Sequence, residues 1–520
     1  MTQPAAHVQM THRQILVVFS GLMLGLFLAA LDQTIVSTAL PTIVGELGGL
    51  EHLSWVVTSY LLTSTASAPL YGKISDLYGR KIVFQFSIVV FLLGSVLSGA
   101  SQSLAQLIGS RALQGLGAGG LIVMTLTIIG DILSPRERGR YQGYIGSVFA
   151  LSSIAGPLAG GLFVDHLSWR WVFYVNLPIG LAALVVTSIV LDLPFHREKR
   201  PVDYTGAALL VAGVTSLLLV TVWGGTEYEW TSGTILGLAT AGVVCLALFL
   251  LQERRAPEPL LPLRLFKNSV FTITSAAGFI VGLGLFGGVV FLPLFLQVVI
   301  GASATNSGLL LLPLMVGVIT TSIASGRVIT RTGRYKRYPV VGTAMMGIGL
   351  LLLSTMSPST PLPVASFYML MLGAGVGLVM QVLVVAVQNA VDARDLGVAT
   401  SLNTFFRSLG GSFGTALFGA ILTSRLAYHL TRLLPEGIDG LPVTGIAASP
   451  AAVAQLPPEV QGPVIEAFSH SITTVFAAAI PFAVVAFLLA IALPERPLRD
   501  TAHVGGAQRE AGPAVVMAGD

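Results

Sequence analysis

Residues Gly72–Lys81 read GKISDLYGRK, and residues Gly326–Tyr335 read GRVITRTGRY. Both decades place glycine first and eighth and arginine ninth, 254 residues apart. In the first copy Asp76 stands four residues before Arg80, the spacing at which a carboxylate and a guanidinium pair across one helical turn. Glycine supplies the tight turn. Each decade lies between two apolar runs, so both read as short basic hairpins joining helices that cross a membrane.

Outward from these hairpins the chain is nearly uncharged. Of its 520 residues 54% are hydrophobic and only 10% are Asp, Glu, Lys or Arg, with a mean hydropathy of +0.82. Soluble domains carry roughly a quarter charged residues. A chain of this length without a charged shell is not soluble, disordered or fibrous, and reads as an all-α integral membrane protein. Its 58 glycines suit helices that pack closely in lipid. The net charge of +4 belongs to cytoplasmic loops rather than to a nucleic-acid surface. The single cysteine, Cys245, excludes a disulfide or a Cys-based metal site within one chain. The first apolar run, from Ile15 to about Val36, is too long for a signal peptide and contains Asp32, so it reads as an uncleaved first span.

Fourteen apolar stretches approach the roughly 20 residues that a bilayer crossing needs, among them 15–40, 54–71, 82–101, 270–298, 399–422 and 471–493. All are expected to be helical, because backbone in lipid must satisfy its own hydrogen bonds. With the N-terminus inside, 23 of the 28 Lys and Arg residues fall on the cytoplasmic side. Arg170, Arg425 and Arg432 fall outside, and Arg111 and Arg407 lie within spans. That bias puts both termini in the cytoplasm. The longest loop, 424–470, is external and reads as a tolerated insertion, with a short interfacial helix over Pro458–His470 as the alternative. All eight histidines are expected in loops or tails, which speaks against a histidine proton relay.

The repeat extends beyond the hairpins. Gly115, Gly117 and Gly119 are matched by Gly373, Gly375 and Gly377, and Gly156 and Gly161 by Gly414 and Gly419, at an offset of 258. The partners are eight spans apart, so the two copies run parallel, as in transporters whose halves are related by an axis along the membrane normal. The expected organisation is an N-terminal six-helix bundle (1–200), two inserted helices (201–265), a C-terminal six-helix bundle (266–495) carrying the external loop, and a disordered cytoplasmic tail (496–520).

With these motifs the sequence resembles the major facilitator superfamily, and in particular its fourteen-helix drug:proton antiporter branch, often called EmrB/QacA-like. The hairpin Gly72, Asp76, Gly79, Arg80, Lys81 is similar to the family's G-x-L-A-D-x-x-G-R-K, with Ile74-Ser75 in place of Leu-Ala. The resemblance implies a cytoplasmic latch between the halves. Thr330 replaces the acid in the second copy, so that latch is expected to be asymmetric. Arg111, Gln114, Gly115 and Gly117 resemble the R-x-x-x-Q-G-x-G pattern. Leu31-Asp32-Gln33-Thr34-Ile35-Val36 with Ala39-Leu40-Pro41 resembles the branch's first-helix motif. Gly156, Pro157, Gly160 and Gly161 resemble the G-P-x-x-G-G of antiporters, with Trp171, Asn176 and Pro178 in its companion stretch.

Asp32 is the only acid deep in any span. By helical rise it lies roughly 26 Å from the inner end of its span and Arg111 at roughly 21 Å, so the two share a layer. Two readings of the pair stand: a proton-coupling pair that opens and closes as helices rock, and a static structural ion pair. Arg111 has a second alternative, snorkelling to the outer surface. Gln114, and in the C-terminal half Gln297, Gln381, Asn403 and Arg407, are the candidate substrate-pathway residues, Arg407 with snorkelling as its alternative.

The resemblance thus implies a major facilitator fold and a proton-coupled antiporter that exports hydrophobic or cationic drugs by alternating access, from the cytoplasm or inner leaflet. It would sit in a bacterial plasma membrane, act as a monomer, and use the proton gradient with no cofactor or metal. Export of a lipid or endogenous metabolite is the alternative on the same scaffold. A non-transporting receptor or scaffold has no need of the intramembrane Asp and Arg. No metal cluster or nucleophile–base set marks an enzyme, and no P-loop marks an ATP-driven pump.

Overall fold

The computed structural model describes residues 12–47, 53–191, 203–225, 227–302, 304–392, 395–434, 453 and 456–499. The tail from residue 500, the middle of the external loop (435–452) and the expected junction near residue 200 lie outside the described residues. Helices α1 (His12–Leu47), α2 (Leu53–Tyr78), α3 (Arg80–Gly99), α4 (Leu104–Ile132), α5 (Pro135–His166), α6 (Trp171–Tyr174) and α7 (Asn176–Val190) form the first half. Two further helices follow, α8 (Tyr204–Trp223) and α9 (Gly233–Glu253). The second half comprises α10 (Ser269–Val289), α11 (Leu292–Leu294), α12 (Ala304–Leu310), α13 (Leu312–Thr332), α14 (Arg337–Leu353), α15 (Leu362–Ala390), α16 (Leu396–Leu433) and α17 (Pro458–Ala492). No strand occurs among the described residues.

Eleven helical stretches are long and apolar enough to cross a membrane, and two shorter apolar ones cover Ser269–Leu285 and Arg337–Leu353. The more polar α2, 26 residues long, takes the remaining place in the expected order. The lipid-facing sides are written at helical spacing: Ile82, Phe86, Leu93 and Leu97 of α3 are all more than half exposed, a stripe that only an apolar solvent accommodates. Helix ends carry the usual signals. Ser134 and Glu137 form a capping box at the start of α5 with Pro135 behind the cap. Gly79 takes φ +94° between α2 and α3, and Gly333 takes φ +68° at the matching end of α13, values that disfavour any side chain.

The repeat has a packing basis. A Cβ on Gly115 or Gly119 would strike Tyr60 or Ser64 of α2, and one on Gly117 would strike the backbone of Phe91 of α3. In the second half Gly373 and Gly377 meet Leu314 and Val318 of α13, and Gly375 meets Gly342 and Met346 of α14. The glycines alternate between the same two neighbours in each half, because backbone approach this close admits no Cβ. Helices α8 and α9 are not free-standing. Leu210, Val214 and Phe249 share a core with Ala66 of α2 and with Leu396, Ala399 and Leu402 of α16.

The structure departs from the expected spans in three places. The stretch 270–298 is not one helix: α10 ends at Val289, and Pro293, which lacks an amide donor, begins the short α11, followed by a π-helical turn over Phe295–Val299. Pro458–His470 is not a separate interfacial helix but the first part of the 35-residue α17. The last span before it also lengthens, with α16 running 38 residues to Leu433. Both helices are longer than a bilayer core needs, and their outer ends pair. Leu426, Leu430, Val460 and Val464 are buried there, and the rings of His429 and His470 stack at 5.3 Å. These two histidines therefore lie on helices, not in loops.

Candidate functional site

Asp32 is completely buried on α1. Arg111 of α4 brings Nη1 to 2.5 Å from its Oδ2. Gln114, one turn further along α4, donates to Oδ1 at 2.8 Å, and Asn176, which opens α7, donates to the same oxygen at 3.1 Å. Both amides also donate to Ser95 Oγ of α3, at 2.6 and 3.0 Å. Arg111 spends its other donors on Gln114 Oε1 at 2.7 Å and the Val56 carbonyl of α2 at 3.2 Å. Its guanidinium carbon lies 4.2 Å from the Tyr60 ring centroid, a cation–π contact strengthened by desolvation. Helices α1, α2, α3, α4 and α7 thus converge on one carboxylate. Gly94, which meets the backbone of Gln114, and Gly115 beside Tyr60 let α4 sit deep enough to deliver both of its side chains. Asn176 Oδ1 is buried with no partner among the described residues.

The first-helix and fifth-helix motifs are two sides of one contact. A Cβ on Gly156 would meet Thr34 Oγ1, and one on Gly160 would meet Thr38 Oγ1 and the Ile35 carbonyl. Thr34 Oγ1 donates to the Ser152 carbonyl at 2.8 Å. Pro157 lies inside α5 without breaking it. Gly161 does not take part in this approach, since nothing lies within 4 Å of where its Cβ would be.

The hairpin Gly72–Lys81 lies against the N-terminus of α16. Gly72 meets Ser401 Oγ and the Gly397 carbonyl, while Gly397 in turn meets Asp76 and Arg80. Asp76 Oδ1 accepts from Arg80 Nη1 at 2.5 Å, and Arg80 Nε reaches Asp131 of α4 at 2.8 Å. Arg80 also donates to Ser75 Oγ. Asp76 lies beyond the apolar part of α2, and burial pushes its carboxyl up to about 6, against the pull of Arg80. Lys81 is turned the other way and donates to the Ser188 carbonyl near the end of α7, within its own half.

Sequence reasoning missed the rest of this seam. Arg138 of α5, before the apolar part of that helix, is 1% exposed. It donates to Gln388 Oε1 of α15 at 2.9 Å, to the Leu133 carbonyl at 3.0 Å and to the Gly130 carbonyl. Burial lowers its guanidinium to about 9, with Asp131 opposing. Gln388 returns Nε2 to the Leu126 carbonyl and to Thr400 Oγ1, both at 3.1 Å. In the second copy Arg136 donates to the Thr330 and Arg331 carbonyls at 2.7 and 3.1 Å. There the main chain accepts where the first copy uses a carboxylate, so the seam is asymmetric. The Arg138–Gln388, Gln388–Leu126 and Arg136–Thr330/Arg331 contacts join the two halves near the helix ends assigned to the cytoplasm.

Gln381 on α15 and Asn403 on α16 are buried, and Gln381 Oε1 and Asn403 Nδ2 have no partner among the described residues. Arg407 lies one turn beyond Asn403 and is partly exposed. Gln297 lies apart, in the π-helical turn, where it donates to Ser307 Oγ at 3.0 Å; it joins none of the other candidates. Ser95, Tyr60, Arg138 and Gln388 carry no formal signal in sequence beyond polarity within or beside a span, except for the charge of Arg138; Asn176 stands in a motif, but its place beside Asp32 does not follow from it.

Two packed bundles with a buried charged cluster and a seam across one end define a polytopic membrane transporter. The chain matches the Major Facilitator Superfamily over residues 22–415 and belongs to that family. It is 45% identical over 484 residues to an uncharacterized MFS-type transporter of Mycobacterium tuberculosis, covering 93% of this chain and 70% of that one. It is 36% identical to Multidrug resistance protein 3 of Bacillus subtilis, over 93% of this chain and 96% of that one. Among solved structures, the proton:xylose symporter XylE has the same fold, with a TM-score of 0.63 over 95% of this chain and 98% of that one at 16% identity.

Proposed function

We propose that the protein is a proton-coupled efflux pump for hydrophobic, drug-like compounds, working by alternating access in the plasma membrane with both termini in the cytoplasm. It acts as a monomer driven by the proton gradient. The observation that carries this reading is the Asp32 cluster: a sealed carboxylate held by one guanidinium and two amides from separate helices. Efflux relatives such as Multidrug resistance protein 3 support the substrate class.

In the conformation described, the seam at Gly72–Ser401 and Arg138–Gln388 closes the cytoplasmic end. A proton reaching Asp32 removes the charge that orders Arg111. The neutral acid then has a hydroxyl to donate, and Asn176 Oδ1, buried beside it without a partner, is an acceptor within the same cluster. Losing the charge loosens α4 from α1, and this rearrangement is the step that exchanges proton binding for substrate release. Asp32 gives the proton up when the cytoplasmic end opens and new substrate enters between the halves.

The test is Asp32→Asn in proteoliposomes with an imposed pH gradient, screened over dyes, antibiotics and lipids. The variant should retain its fold and lose gradient-driven transport. Undiminished gradient-driven transport by the variant would refute the assignment.

A further inference from the structure

The molecule has two arginines deep in its spans, and they are treated differently. Arg111 is saturated by Asp32, Gln114, the Val56 carbonyl and the Tyr60 ring. Among the described residues Arg407 has no ion pair, hydrogen bond or aromatic partner. A charge in a span without a protein partner must face a cavity or water, and Arg407 is partly exposed.

Its direction follows from its register. Thr400 of α16 receives a hydrogen bond from Gln388 of α15, and Gln388 also binds Arg138 of the other half. This face of the α15–α16 pair therefore looks into the seam between the halves. Arg407 is seven residues beyond Thr400, and Gln381 seven residues before Gln388. Seven residues restore nearly the same helical face about 10 Å along the axis. Because α15 and α16 run antiparallel, Gln381 and Arg407 reach the same depth on the same inward face, above the closed seam. Snorkelling to the cytoplasm along this face is blocked by the seam itself. Asn403, one turn below Arg407, is 2% exposed with Nδ2 unpartnered. Asn403 Nδ2 and the Arg407 Cβ both lie 3.9 Å from where a Cβ of Gly278 would be. Both side chains thus border the space beside Gly278, a residue that fills none of it.

We propose that Arg407, with Asn403, forms an anion-accepting subsite in the C-terminal wall of the pathway, so that preferred substrates are apolar molecules bearing a carboxylate. This rests on the export reading above and shifts its substrate class away from lipophilic cations. The Asp32–Arg111 pair is neutral as a unit, which leaves Arg407 as the net charge facing this part of the pathway. A guanidinium presents a planar fork that a carboxylate meets with two hydrogen bonds. An amide donor one turn away supplies a third. A cation meets an unbalanced like charge in a medium of low dielectric.

The test is equilibrium binding to the purified full-length protein in nanodiscs, by fluorescence anisotropy. The probes are a rhodamine with a free carboxylate and the methyl ester of the same dye. Wild-type protein should bind the acid form more tightly than the ester. Arg407→Gln should reduce the acid-to-ester affinity ratio at least tenfold, and Arg407→Lys should keep part of it. A parallel loss of both dyes in a monodisperse Arg407→Gln protein would overturn the proposal, as would a wild-type preference for the ester or binding of neither form. Binding at equilibrium needs no pH gradient. Persistence of gradient-driven transport in Asp32→Asn would therefore sink proton coupling while leaving the dye ratio standing.

Discussion

Neutralising Asp76 should remove a pH sensitivity from the proposed closure at the seam. In the closed seam this carboxyl lies against Gly397 with 14% of its side chain exposed, paired with Arg80. Arg80, Lys73 and Asp131 are the charges around it, and burial outweighs them, raising it from 3.8 to about 6. When the halves part, the hairpin is hydrated and the carboxyl returns to its ordinary value. The closed state therefore holds the proton more tightly. Its contribution to closure is fully present below about 4 and is lost as pH rises through about 6. Between pH 7.5 and 5, a group titrating near 6 favours closure by about tenfold, or about 1.4 kcal/mol. Double electron–electron resonance between spin labels at Tyr78→Cys and Arg334→Cys, with Cys245 replaced, reads the closed fraction directly. The closed-to-open ratio should rise about tenfold on acidification, and Asp76→Asn should flatten that response. An equal pH response in Asp76→Asn, or a response of opposite sign in the parent, would refute the reasoning.

Asn176→Leu removes two hydrogen bonds from the Asp32–Ser95 cluster, one of them to a carboxylate. It should destabilise the detergent-solubilised protein by about 2–3 kcal/mol, measured by equilibrium denaturation. Gly72→Ala places a methyl against Ser401 and the Gly397 carbonyl. It should open the seam and raise, several-fold, the rate at which a membrane-permeant thiol reagent modifies a cysteine introduced at Ser401. Tyr335→Phe deletes the hydroxyl that donates to the Pro494 carbonyl and accepts from the Arg496 amide. It should release the Leu493–Arg499 segment and hasten limited proteolysis there, at a cost of about 1–2 kcal/mol.

What could be read from sequence follows from which features force a residue identity. Positive φ at Gly79 and Gly333 and backbone approach at Gly115–Gly119 and Gly373–Gly377 admit only glycine. These constraints write the repeat into the chain at nearly constant offsets of 254 and 258 residues. The Asp32–Arg111 pair was legible for a related reason. A charge in a span is too costly to occur without a partner or cavity, and helical rise alone places the two in one layer. Amides and hydroxyls carry no such cost signal. Ser95 and Asn176 are common residues whose role depends on the azimuth at which α3 and α7 meet α1, which hydropathy does not encode. The same gap holds for Gln297. Polarity marks it within a span, but the helix breaks after Val289, and its contact with Ser307 is not encoded in hydropathy.

The closed seam also explains why its members escaped notice although they carry charge. Arg136 and Arg138 lie in a stretch with Arg140 and read as ordinary positive-inside residues, a role that any surface lysine fills. What separates them is bonding to carbonyls across the seam, with Arg138 buried as well. Arg138 holds Gly130 and Leu133 of one half while binding Gln388 of the other, and Gln388 reaches back to Leu126. Neutral acceptors let such a joint form and break without stranding a counter-charge, whereas a buried ion pair broken on one side costs about 3–5 kcal/mol. In the alternating-access cycle proposed above, a joint that opens each time is better built from guanidinium–carbonyl bonds than from salt bridges between the halves. In keeping with this, Asp76, Arg80 and Asp131 pair within the N-terminal half and present the joined cluster to the helix end of α16.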